Sequence, residues 1–402
     1  MIDPQLREAL ATHKMQLMGL PNVVDAGLGF KITHGVMTEQ PCIVVFVKRK
    51  VLASTLGTGL VPPNLGTVAT DVVELGDVSA LGTDVAPSPA AHREKHRPVV
   101  GGVSCGSRVA IAGAGTIGLP FVFRNGVPGL ISNKHVISPN WTTIRDPNFV
   151  WKGSRTRQPA WLDGGTGEDE IAEVQDLVAI IPGQENEIDA DFASYLPGQE
   201  ARAQLLGLGH YTALGDAEPG MVVTKSGRTS GVTGSRRVIS TGLTIPVAYP
   251  GLGEVTFRNQ IITEPMLSPG DSGSAILSGE MVVGLGFAGS DSVSVANPIK
   301  TVFERLGLSL QGPPGPPIAR PVPVAQGLQA LLNQAVLRVA WGFEARSQRF
   351  LLFDPAAPVL SDLALLEPGK GYWLALTRDA QFTYQGGSVP LYRGWNLVGW
   401  PP

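Results

Sequence analysis

Cysteine is almost missing from this chain: 402 residues contain two, Cys42 and Cys105. Neither has a CxxC partner or a metal-ligand neighbour, which argues against a disulfide framework or metal cluster and leaves two small buried side chains. Charge is also scarce, at 16% Asp, Glu, Lys and Arg with a net charge of −3. Lys and Arg are scattered, so no basic face is expected for nucleic acid or anionic lipid. No apolar run approaches the roughly 20 residues that span a bilayer. The opening MIDPQLREALATHKMQLMGL lacks the basic region and unbroken apolar core of a signal peptide. The expectation is a soluble, cytoplasmic chain with no nucleic-acid or membrane partner.

Turn formers, by contrast, are plentiful. The 50 glycines and 33 prolines beside 43% hydrophobic residues favour a β protein. A prior of about 100 to 200 residues per domain implies two to four domains, and three are assigned. Residues 1–81 read as a small α/β accessory domain. Leu6, Leu10, Leu17 and Met18 keep helical spacing, and the runs Val23 to Ile32, Cys42 to Val47 and Val68 to Leu75 predict strands. Residues 82–97 mix Ala, Pro, Ser and charge without periodicity and predict a linker. From 98 to 310 short apolar runs alternate with Gly, Pro, Asn and Asp turns, as a sandwich or barrel requires. Strands are expected at Val109 to Ile111, Gly129 to Ile131, Leu177 to Ile181, Met221 to Thr224, Ala275 to Leu277 and Met281 to Leu285, with a helix at Ile299 to Leu306. The stretch 311–323, QGPPGPPIARPVP, predicts an extended spacer. Residues 324–402 form a further β module in which Trp341, Trp373, Trp395 and Trp400 are expected as core, in preference to a stacking surface for glycan or peptide.

The strongest chemical signal is Pro269-Gly270-Asp271-Ser272-Gly273-Ser274. A nucleophilic serine needs a tight turn whose backbone N–H groups converge on a developing oxyanion. Glycines at 270 and 273 supply unusual dihedrals and close approach. A surface turn uses the same residues, so the motif gains weight from its company. Upstream, Leu130-Ile131-Ser132-Asn133-Lys134-His135-Val136-Ile137 sets His135 where a strand gives way to a turn; the other five histidines lack such a setting. Between them Asn186-Glu187-Ile188-Asp189-Ala190-Asp191-Phe192-Ala193 offers Asp189 and Asp191 on one face of a strand. One would orient the imidazole, and the reading leans to Asp189.

In this order SNKHV, a DxA-type segment and PGDSGSA resemble the trypsin/chymotrypsin superfamily. GGVSCGSRVAIAGAGTIG, LISNKHVI, KSGRTSGVTG and PGDSGSAIL further resemble a bacterial and phage group of trypsin-like peptidases. The resemblance covers roughly residues 98 to 306. It implies a mainly β protein with a chymotrypsin-like double β-barrel, flanked here by a small N-terminal α/β domain and a small C-terminal β domain. It also implies Ser272 as nucleophile, His135 as base, Asp189 or Asp191 as third member, and the N–H groups of Gly270 and Ser272 as oxyanion hole. The activity implied is hydrolysis of protein or peptide substrates through an acyl-enzyme, with no metal or cofactor.

No amino terminus of the Ile-Val-Gly-Gly type is evident, Val99-Val100-Gly101-Gly102 being only superficially similar, so the loop at 268 to 274 must be held by other contacts. Met266 stands where basic-specific relatives carry an aspartate. Gly286, Phe287 and Ala288 would form the facing wall, which predicts a small or apolar residue before the scissile bond. Lys225 and Arg228 read either as an anion site or, with twice the weight, as a charged turn supporting the second barrel. Two further readings stay open: a catalytically silent binding protein of the same fold, and a self-processing peptidase that cuts its linker at 82–97 or 311–323. GWNLVGWPP resembles the end of a module in bacterial extracellular proteins, against a cytoplasmic location.

Overall fold

In the computed structural model the described residues are 4–81, 90–108, 113–138, 154–175, 177–249, 252–312, 321–345, 347–367, 369–384 and 387–400. The chain forms two compact units, Met1–Gly312 and Pro313–Pro402. Both are mainly β. None of the described helices is long and apolar enough to cross a membrane.

The first unit opens with helix α1 (Pro4–Met18) and strands β1 (Val23–Thr33), β2 (Val36–Val47), β3 (Asn64–Leu65) and β4 (Val68–Glu74), in the sheet order β1-β2-β4-β3. The β2 run CIVVFV is apolar without alternation because both of its faces are covered. Cys42, Val44 and Phe46 pack on Ile239, Leu243, Phe257 and Phe287 of the downstream fold. Ile43 and Val45 pack toward Leu17 of α1, with Ala26 and Leu65. The N-terminal sheet therefore shares a core with the rest of the unit.

Six strands close a hydrogen-bonded ring downstream. Met281–Gly289 pairs with Ala275–Ser278, which pairs with Val222–Gly227, then Arg236–Tyr249, Gly253–Thr263, Ser294–Pro298 and back to Met281–Gly289. A short N-terminal strand, β5 (Ser79–Ala80), joins this sheet between Arg236–Tyr249 and Met281–Gly289. The other large sheet runs in the order Leu308–Ser309, Leu119–Arg124, Val127–Ser132, Asp191–Tyr195, Glu170–Val174, Arg155–Arg157, Ser104–Ser107, Gly115–Thr116. It surrounds a core of Val103, Cys105, Ile117, Leu130, Ile171, Val174 and Ala193. The helix Ile299–Leu306 forms where its apolar spacing predicts, and ends at Gly307 with a φ of 63°.

Some expectations change. Leu177–Ile181 is not a strand: its backbone is drawn off the ladder, Leu177 N–H donating to Asp191 Oδ1 (3.2 Å) and Ile181 N–H to Asn186 Oδ1 (2.8 Å). Within the stretch read as a linker, Ala90–His92 is a 3-10 turn with His92 buried; residues 82–89 lie outside the described residues, as do the proposed strand at Val109 to Ile111 and residues 313–320 of the Pro-rich spacer. The second unit carries a four-stranded sheet, Arg349–Phe353, Leu337–Glu344, Gly371–Leu376 and Gly394–Gly399 in spatial order. Of the four tryptophans expected as core, Trp400 alone is buried, while Trp373 and Trp395 are 44% and 59% exposed. Leu331, Ala340, Tyr372, Leu374 and Phe382 fill that core instead.

Asp25 ties the N-terminal sheet to the ring. Its buried carboxylate accepts from Ala26 N–H and Thr244 N–H, each at 2.7 Å, and pairs with Lys14 Nζ at 2.8 Å. Asp25→Ala leaves these buried donors unanswered and should destabilise the first unit by about 2–4 kcal/mol, read as a lowered urea midpoint at unchanged slope.

Candidate active site

His135 lies in the short helix Lys134–Ile137, directly after the strand Val127–Ser132. Asp189 immediately precedes the neighbouring strand Asp191–Tyr195, whose Asp191 is in register with Ser132. This pairing brings the two segments together. His135 Nδ1 is hydrogen-bonded to Asp189 Oδ2, and the His135 backbone N–H donates to Oδ1 at 3.1 Å. Tyr249, at the end of the ring strand Arg236–Tyr249, donates its hydroxyl to Oδ2 at 2.6 Å, and its ring meets the imidazole edge to face at 6.2 Å. Asn133 Nδ2 holds the Asp189 carbonyl (2.6 Å), and Asp189 N–H donates to Asn297 Oδ1 (2.9 Å).

Of the two candidate aspartates, Asp189 is the one in contact with His135. Asp191 turns away to Ser138 Oγ (2.9 Å), Lys134 Nζ (3.6 Å) and the backbone N–H groups of Phe192 and Leu177. Both carboxyls are fully buried, and their environments drive them apart. Burial pushes Asp189 up, but the His135 charge and the hydrogen bonds from His135 and Tyr249 outweigh it and hold the carboxyl below its ordinary range. Burial prevails at Asp191, lifting its carboxyl despite Lys134 and Ser138. An ionised Asp189 only accepts, which puts the imidazole proton on Nδ1 and leaves Nε2 as the basic nitrogen.

Ser272 sits on a loop with two left-handed glycines, Gly270 (φ 92°) and Gly273 (φ 94°). A Cβ on Gly273 would collide with Thr116 O and Ser132 Oγ and stand 3.3 Å from Asn133 N, so the loop is pressed against the residues that lead into His135. Thr116, which sequence reasoning did not single out, joins the pieces. Its N–H donates to Ser272 O (2.8 Å), its carbonyl accepts from Ser132 Oγ (2.7 Å), and its hydroxyl donates to Gly270 O (3.1 Å). The Gly270 and Ser272 N–H groups have no acceptor among the described residues.

The loop is held from below by charge. Asp271 and Lys225 are both fully buried and 2.7 Å apart. Asp271 also accepts from Thr229 N–H (2.9 Å), Ser230 N–H (3.1 Å), Ser230 Oγ (2.5 Å) and Ser268 N–H (3.0 Å). Burial pulls the Lys225 ammonium below its ordinary value, and Asp271 opposes that fall. Arg228 grips Asp163 with two donors, at 2.6 and 2.8 Å. Both cations of KSGRTSG are thus committed internally, and the anion-site reading is withdrawn. Val99, buried, gives its N–H to Glu200 O within a strand.

The expected specificity residues separate. Met266 packs into the ring's interior with Val223, Ile261 and Val283, because its strand neighbours face inward there. Leu267 takes the place beside the cleft, where a Cβ on Gly286 would meet it at 2.7 Å. The Phe287 side chain is buried against Phe257 (ring centroids 4.9 Å) and Ala288 is buried, so it is the backbone of this wall that faces the serine. Leu81 also comes to the site, unforeseen from sequence: Ser272 Oγ donates to its carbonyl oxygen at 2.9 Å.

The family model of the NARROW LEAF 1 N-terminal domain matches residues 9–70. Curated proteins yield no sequence match. Solved structures similar to this chain are chymotrypsin-like serine proteases. Cellulomonas bogoriensis chymotrypsin is 20% identical, with 54% of this chain and 99% of that one covered and a TM-score of 0.38. Thermobifida fusca protease A is 17% identical, with 54% and 99% covered and a TM-score of 0.40. Nocardiopsis protease is 17% identical, with 53% and 98% covered and a TM-score of 0.38. At such values the functional reading rests on the site's own geometry.

Two outcomes follow for stability. Lys225→Met strands the Asp271 carboxylate and should cost about 3–5 kcal/mol in urea unfolding. Asp189, depressed in the folded state, contributes stability that is present above its unfolded value near ~3.9 and lost as pH falls through the folded one. The margin of wild type over Asp189→Asn should therefore narrow in unfolding series taken below about pH 4.

Proposed function

We propose that the first unit is a serine endopeptidase acting on protein or peptide substrates through an acyl-enzyme. The observation that carries the reading is the buried Asp189–His135 couple beside a Ser272 loop that leaves two backbone N–H groups for an oxyanion. His135 Nε2 takes the Ser272 proton as Oγ attacks the scissile carbonyl carbon, and returns it to the departing amine. Asp189, steadied by Tyr249 and Asn297, keeps the tautomer and balances the imidazolium. The Gly270 and Ser272 N–H groups meet the oxyanion. Water then repeats the sequence on the ester, releasing a carboxylate and free Ser272. The chain's own residues supply every group this chemistry needs. Asp191 keeps its neighbours in place through Lys134 and Ser138 and does not touch the imidazole.

Leu81 covers the buried Ser272, its carbonyl accepting from Oγ, and so closes the site to outside peptides. A Leu81→Asp chain, whose new carboxylate is costly to keep at the buried Leu81 position, serves as the uncovered form. Prolonged incubation with a fluorophosphonate probe and peptide mapping should place the adduct on Ser272 in both chains. Ser272→Ala should take none, and Asp189→Asn should slow labelling roughly 100-fold or more, because the wrong tautomer is favoured. Asp191→Asn should stay within about tenfold of wild type, since its contacts end at Lys134 and Ser138. Absence of a Ser272 adduct from both wild type and Leu81→Asp refutes the proposal.

A further inference from the structure

The residues 75–81 run along the ring strand Met281–Gly289 and end at the serine. Ser290 Oγ donates to Leu75 O at 2.5 Å, and Ala248 N–H donates to Val78 O at 3.0 Å. Ser79 is antiparallel to Gly289, and Ala80 to Ala288. Leu81 N–H then donates to Phe287 O at 3.1 Å, and the Leu81 carbonyl meets Ser272 Oγ. Addition of a strand to a sheet is how a peptide docks on one, main-chain bonds giving affinity and side-chain recesses giving selectivity. The Leu81 side chain, 7% exposed, forms part of the wall of a recess also lined by Leu267 and Pro269 and by the charged Arg49, Asp77 and Asp291, with its Cδ2 3.8 Å from where a Cβ on Gly289 would stand. A chain segment is thus laid in β register with its apolar side chain buried and its carbonyl oxygen accepting from Ser272 Oγ, the Gly270 and Ser272 N–H groups not yet engaged.

We infer that the site's first substrate is this chain itself, cut at the peptide bond on the carboxyl side of Leu81. The inference rests on the peptidase reading and gives it a substrate and a preference. Ser272 Oγ adds to the Leu81 carbonyl carbon while His135 Nε2 accepts the hydroxyl proton. The carbon–nitrogen bond breaks, His135 protonates the leaving amine of residue 82, and Leu81 is left as an ester on Ser272. One water, deprotonated by His135, hydrolyses the ester to the Leu81 carboxylate and restores the serine. The buried position of the Leu81 side chain then favours leucine-like residues before the scissile bond in other peptides. Residues 4–74 stay docked after the cut, because Cys42, Val44 and Phe46 are shared with the core of the ring.

The test is intact-mass analysis of freshly purified full-length wild type, Ser272→Ala, Leu81→Met and Leu81→Asp over time. Wild type and Leu81→Met should convert to fragments 1–81 and 82–402, within about tenfold of each other in rate, since the recess accepts an isosteric side chain. The wild-type rate should not change on dilution. Ser272→Ala should stay whole, and Leu81→Asp should be cut at this bond at least roughly 100-fold more slowly, while taking the fluorophosphonate probe faster than uncut wild type. Wild type that stays whole, or is cut only elsewhere, overturns self-cleavage while probe labelling keeps the peptidase reading intact. Failure of Leu81→Asp and wild type alike to label removes both.

Discussion

An ammonium and a carboxylate face each other at 2.7 Å with no solvent at either, Lys225 against Asp271. Each charge would cost several kcal/mol to bury alone, so neither side chain can leave without the other being stranded. Asp271 stands between Gly270 and Ser272, and its remaining lone pairs are spent on Thr229, Ser230 and Ser268. The backbone of the Ser272 loop is therefore held by a charge on the strand Val222–Gly227. A loop with two left-handed glycines would otherwise be among the softest parts of the fold.

A second constraint runs through Thr116, three of whose polar contacts bind the Ser272 loop to Ser132 and so to the turn bearing His135. The two large sheets meet at this point, and the site depends on their registration. The N-terminal sheet adds to it from the far side. Phe287 packs with Phe46 of β2, Tyr249 and Phe257 in one cluster, and Tyr249 also reaches Asp189. Whatever disturbs β2 is transmitted to the aspartate that orients the imidazole.

Much of the chemistry was legible in the order of short motifs. GDSGS and SNKHV name a serine and a histidine because few other residue patterns join a tight glycine turn to a lone histidine at a strand end. The KSGRTSG turn could be marked as unusual but not interpreted: a cation in sequence shows its charge, and only its neighbours show what that charge answers. The choice between Asp189 and Asp191 was equally closed to sequence, since two residues of the same type with alternate spacing differ only in what packs against them. Leu177–Ile181 failed as a strand for the same reason, its ladder bonds being diverted to Asp191 and Asn186. In the second unit, hydrophobicity placed four tryptophans in a core that in fact excludes Trp373 and Trp395, because strand alternation sends them to the open face.

The sequence by itself determined the β character, the terminal helix at Ile299–Leu306, the serine, the histidine and a pair of candidate aspartates, all of them written in local patterns of turn residues and periodicity. Tertiary structure alone decided which aspartate meets His135, that Tyr249 and Thr116 serve the site, that Lys225 holds its loop, and that Leu81 lies on Ser272. Those contacts join residues up to 191 positions apart. Hydrogen bonds and buried charges act over a few ångströms of space, and separation along the chain says nothing about them.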